Sequence, residues 1–111
     1  HNIIAVGTNV NGLCLAINHM KSMGGGFVAV KDGQTLSEMA LPIAGLMSLE
    51  PGQIIAEKLT LLKASIQTLG CHLHEPLLQL AFLALPVIPT LKITDKGLVN
   101  VNQVKLITLK D

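Results

Sequence analysis

Apolar and polar positions alternate between two periods along the chain, and the changes of period mark out the elements. Ile3-Ile4-Ala5-Val6 is a short continuous apolar run closed by Gly7, the pattern of a buried strand. Leu13, Ala16, Ile17 and Met20 then recur at helical spacing behind Asn9, a suitable N-cap, and Gly24-Gly25-Gly26 ends that helix. Phe27 to Lys31 and Gln34 to Leu41 read as two strands joined at Asp32-Gly33, a hairpin turn pair. Pro42 stops the second strand. Pro51 suits the first turn of a long helix whose stripe is Ile55, Leu59, Leu62, Ile66 and Leu69, ended by Gly70. Leu77 to Leu85 is apolar nearly all round and predicts a short buried helix, broken by Pro86 and Pro89. Leu91–Thr94 and Leu98–Val101 flank the turn Asp95-Lys96-Gly97, and residues 104–109 form a last strand or a docking tail. The order is β-α-β-β-α-α-β-β, which predicts an α+β fold: one domain over residues 1–111, with a mostly antiparallel sheet packed against helices.

Composition narrows the function classes. Half of the 111 residues are apolar and only 14% are charged, with 8 basic against 7 acidic residues and a net charge of +1. A nucleic-acid grip would need a concentrated basic face, and base stacking would need more than two Phe with no Tyr or Trp. Nucleic acid is therefore not an expected partner. Neither is a membrane, because the apolar stretch from Pro76 to Leu91 is short and interrupted by proline. The first twenty residues carry no basic segment of a secretory signal. Cys14 and Cys71 are too few for a disulfide scaffold, which favours a reduced, cytoplasmic chain. The start at His1 and the unusually apolar composition are expected of a piece of a longer protein, with some surface made to meet a partner.

Each group of chemistry-bearing residues has a structural explanation as well as a functional one. His72-Leu73-His74 has the spacing of a metal-binding pair on a strand, with Cys71 and Glu75 beside it. The segment lies between a helix-ending Gly70 and Pro76, so a solvated connection is the reading adopted, and no metal ligand is assigned. Gly7 to Gly12 joins a strand to a helix, as phosphate loops do, but has neither G-x-G-x-x-G nor a Gly-Lys-Ser/Thr ending. Cys14 and His19 fall on different helix faces, so a nucleophilic dyad is not expected, and Cys14 reads as a small buried residue. No catalytic or cofactor-binding residue is assigned. The most informative stretch is Leu41–Leu49, nine successive uncharged and mostly apolar residues that must bury themselves or meet a partner.

Several blocks in order carry a family resemblance. They are His1-Asn2-Ile3-Ile4-Ala5-Val6-Gly7-Thr8-Asn9, Met23-Gly24-Gly25-Gly26, Val30-Lys31-Asp32-Gly33, and Leu41-Pro42-Ile43-Ala44-Gly45-Leu46-Met47-Ser48. Phe82-Leu83-Ala84-Leu85-Pro86-Val87-Ile88-Pro89, Leu91-Lys92 and Thr94-Asp95-Lys96-Gly97-Leu98-Val99 follow. Together they resemble the C-terminal domain of bacterial adenine deaminase, of the amidohydrolase superfamily. The resemblance implies a parent enzyme that hydrolyses adenine to hypoxanthine and ammonia in purine salvage. It also implies an upstream catalytic barrel in the same polypeptide that holds manganese or iron, while this fragment holds no cofactor and is inactive alone. His1 and Asn2 look like the end of the family's His-Asp-Ser-His-Asn block. With Met47 of the apolar loop, they are the residues expected to face the barrel. A homo-oligomer is a further partner to be considered. One departure is visible: Val10-Asn11-Gly12 stand where the family often has acidic residues, leaving the first helical turn without negative charge. Two other readings stay open, a non-catalytic interaction or small-ligand module and a small metal enzyme using His72 and His74.

Overall fold

The computed structural model describes residues 2–110. The first helix, α1 (Val10–Met23), starts as its sequence predicts: Asn9 lies in extended backbone and its side-chain oxygen accepts the Gly12 amide at 2.7 Å. The first turn has no acidic residue, so the dipole is complemented by this cap alone. Gly24 closes the helix in the left-handed conformation. The strands β1 (Gly26–Lys31) and β2 (Gln34–Ala40) form the antiparallel hairpin turned at Asp32-Gly33. Their register shifts between Ala29 and Val30, where Ala29 pairs with Ser37 and Val30 with Thr35, so Leu36 is the extra residue of a bulge. The long helix α2 (Gly52–Thr68) begins one residue after Pro51, which stands at the N-cap. The remaining elements are α3 (Pro76–Ala84), β3 (Leu91–Thr94), β4 (Gly97–Asn100), a 3₁₀ turn at Val101–Gln103, and β5 (Lys105–Ile107). Among the described residues, no helix is long and apolar enough to cross a membrane.

The α+β class is borne out: the described residues form three α-helices and two small antiparallel sheets in place of the single sheet expected. The chain divides into two compact units: residues 5–73, and residues 2–4 with 74–110. In the larger unit α1 packs on β1, and α2 lies across β2 and β1. Its core is Ala29, Met39, Leu41 and Leu62, and Leu62 alone is completely enclosed. Most of the α2 stripe works as its spacing predicts: Ile55, Leu59 and Ile66 are half-buried on either side of Leu62, but Leu69 falls at the C-cap, past the last helical residue, and is exposed.

In the smaller unit the strand order is β3-β4-β5, with α3 against β3. Three expectations fail. Residues 3–6 form no strand. The division between the two units falls inside that run, which has no strand to pair with, and a strand without a ladder partner leaves its backbone groups unsatisfied. The short helix α3 is not buried all round: Ala84 is enclosed, but Leu78, Phe82 and Leu83 are exposed. One helix on one edge of a three-stranded sheet can cover only one of its own faces. Cys14 is exposed, not buried, because it lies outside the half-buried side of α1 formed by Leu13, Ala16 and Met20.

Candidate functional site

The uncharged stretch after β2 folds into a tight, self-closed turn. The Ile43 amide donates to the Met47 carbonyl at 3.1 Å, and the amides of Leu46 and Met47 return to the Ile43 carbonyl at 3.0 and 3.1 Å. Ala44 and Gly45 both take positive φ, 56° and 72°. For alanine that conformation costs about 1–2 kcal/mol. These bonds hold the backbone of the turn, and its side chains stay outward: Leu46 is 58% exposed, Met47 56% and Leu49 82%. Leu41 at the start of the stretch packs in the core, whereas Leu46, Met47 and Leu49 do not adopt the ordinary alternative for an apolar loop, packing on its own sheet.

The glycine run that ends α1 is the floor of this turn. A Cβ on Gly25 would stand 2.5 Å from the Gly45 Cα, and one on Gly26 would stand 2.0 Å from the Met39 carbonyl oxygen. The Leu41 amide donates to the Gly25 carbonyl at 3.0 Å, tying the strand exit to the same glycines. Three small residues in succession therefore allow two backbone segments, 24–26 and 39–45, to pass in contact. Sequence reading found the helix end and the apolar loop separately. Their contact, about twenty residues apart along the chain, was not legible.

The other candidates come apart. His19 Nε2 pairs with the Glu38 carboxylate across α1 and β2, so its partner is Glu38 and not Cys14. A shallow groove of about 640 Å³ runs between β2 and α2, lined by Leu36, Ser37, Glu38, Lys58, Leu61 and Ala64 among others. Both charges along it are already engaged, Glu38 by His19 and Lys58 by Glu50 at 2.5 and 2.8 Å. Asn2 donates to the Ile93 carbonyl at 3.3 Å and lines a cavity of about 260 Å³ with Ala84, Pro86, Thr94 and Asp95. His1 lies outside the described residues.

The described residues of this chain gather no ligand set for a catalytic metal. A catalytic zinc-type centre takes three protein ligands. Among the described residues no three of His, Cys, Asp and Glu gather within reach of one ion. The His74 side chain is 94% exposed, and its Nδ1 lies 3.9 Å from the Glu75 carboxylate. Calorimetric titration of the chain with zinc or manganese is expected to give no stoichiometric site of micromolar affinity. A site of that strength lost in His72→Ala would reverse this assignment.

The family match and the similar proteins point the same way. The family model described as adenine deaminase C-terminal domain matches residues 1–105. An adenine deaminase of Brucella anthropi is 53% identical over 103 residues, covering 93% of this chain and 18% of that protein. One of Gluconobacter oxydans is 49% identical over 107 residues, 96% of this chain and 19% of that protein. One of Shewanella halifaxensis is 43% identical over 110 residues, 99% of this chain and 19% of that protein. The chain thus spans about a fifth of the length of the curated relatives it matches. No solved structure matches it significantly. With the family model covering all but the last few residues, the chain belongs to the adenine deaminase C-terminal domain family.

Proposed function

We propose that this chain acts as the C-terminal accessory domain of an adenine deaminase. The whole enzyme hydrolyses adenine to hypoxanthine: water supplies the oxygen that replaces the exocyclic amino group, which leaves as ammonia. The observation that carries the reading is the match of the C-terminal domain family over residues 1–105, together with relatives named adenine deaminase, one of them 53% identical. Among the described residues no three potential ligands gather around one ion, and no catalytic step is assigned to this part of the polypeptide. Manganese or iron would belong to the remaining four-fifths of the enzyme. The working place is the cytoplasm, in purine salvage. Asn2, with His1 before it, is the polar end of the domain that would approach the catalytic barrel.

The test is ammonia release from adenine, measured with manganese present. The full-length polypeptide is expected to turn adenine over. The 111-residue chain is expected to release no ammonia above a heat-killed control. Activity of the short chain would overturn the accessory role, and a full-length polypeptide inert towards adenine would overturn the activity.

A further inference from the structure

The apolar turn after β2 is built to hold its side chains outward. Its backbone hydrogen bonds close on themselves through Ile43, Leu46 and Met47. Its tip rests on the backbone of Gly24 and Gly25, at a distance that admits no Cβ on Gly25. Ala44 holds a left-handed conformation that alanine ordinarily avoids. An apolar loop with no partner would be expected to fold its side chains onto the hairpin beside it. Here a fixed turn displays Ile43, Leu46, Met47 and Leu49 to solvent, with no charged residue between Leu41 and Leu49 to solvate them.

We infer that this turn is a docking knob that seats in an apolar recess of the other four-fifths of the adenine deaminase polypeptide. The inference rests on the reading proposed above and names the interaction surface. Two observations choose this occupant over a second copy of the chain. The first is area. A stable association of separate proteins needs about 800 Å² from each partner. Four aliphatic side chains offer less than about 600 Å², taking the ~150 Å² of a small aromatic residue as their upper bound. A recess on the same polypeptide needs less, because covalent linkage supplies an effective concentration in the millimolar range. The second is length: each relative extends to about five times the span of this chain, so ample polypeptide exists to form the recess. The absence of charge on the knob fits an apolar recess and gives no purchase to an ionic partner.

Site-specific photocrosslinking in the full-length enzyme tests this. With p-benzoylphenylalanine in place of Leu46, irradiation is expected to join the turn to a peptide outside the 111-residue domain. The product should keep the mass of one polypeptide on a denaturing gel, with a yield unchanged by tenfold dilution. In the unaltered enzyme, Met47 should oxidise with peroxide at least tenfold more slowly in the native state than after denaturation. A doubled mass that fades on dilution would assign the turn to a second copy and overturn the inference. So would crosslinks confined to the domain itself, or oxidation of Met47 as fast in the native as in the denatured enzyme. Ammonia release from adenine by the same preparation separates the two claims. An active enzyme with an unprotected turn sinks only the docking inference, and a protected turn in an enzyme inert to adenine sinks only the activity.

Discussion

Leu62→Ala is expected to lower the stability of the larger unit by about 2–5 kcal/mol, the range for large-to-small changes at fully enclosed sites. Leu62 is 0% exposed, and the unit has only Ala29, Met39 and Leu41 as other buried residues. Truncation removes the one side chain of α2 that is enclosed on every side, where the helix crosses the hairpin. Native domains are stable by only about 5–15 kcal/mol, so a change of this size takes a large share of the total. Urea denaturation followed by circular dichroism reads it directly. Leu61→Ala is the matched control: its neighbour on the same helix is exposed, and its loss should stay within about 0.5 kcal/mol. Equal effects at the two positions would mean that α2 does not seat on the hairpin through Leu62.

The second large effect is expected at Gly26. This residue opens β1, pairs with Ala40, and has φ of +133°. A Cβ there would meet the Met39 carbonyl oxygen at 2.0 Å and the Leu41 nitrogen at 3.0 Å. Both atoms are backbone, so no side-chain rotation can relieve the overlap, and the strand end must separate. Gly33→Ala gives the comparison, because it too has positive φ, +77°, but open space around it. That change should cost only the conformational term, about 1–2 kcal/mol. Gly26→Ala should cost clearly more and should also speed hydrogen exchange at the Leu41 amide, which bonds the Gly25 carbonyl. Similar losses for the two glycines, with Leu41 exchange unchanged, would show that the close passage of segments 24–26 and 39–41 is not a constraint on the fold.

Much of the local structure was legible in the pattern of the chain. Periodicity and capping located α1 behind Asn9, the hairpin at Asp32-Gly33, the α2 stripe centred on Leu62, and the turn between β3 and β4. These are decided within a few residues: a side-chain oxygen reaches an amide three positions on, a turn pair accepts positive φ, and a face repeats every 3.6 residues. The strand expected at residues 3–6 and the burial expected of α3 failed for a common reason. An apolar run states only that its residues would gain from burial, not whether a partner stands beside it. Residues 3–6 have no neighbouring strand, and α3 has one sheet edge to cover one side.

The candidate site divides in the same way. From the sequence alone came the uncharged stretch Leu41–Leu49, the glycine run 24–26, and the family to which the whole chain belongs. Residue order and composition suffice for these, because they need no knowledge of which segments meet. Only the tertiary structure decided that Gly25 lies under Gly45, that the turn closes its own hydrogen bonds, and that Met47 stands in solvent. Likewise only the fold gave His19 to Glu38 rather than to Cys14. Contact between segments far apart in sequence follows from how helices and hairpin pack together, and local propensity does not encode that arrangement.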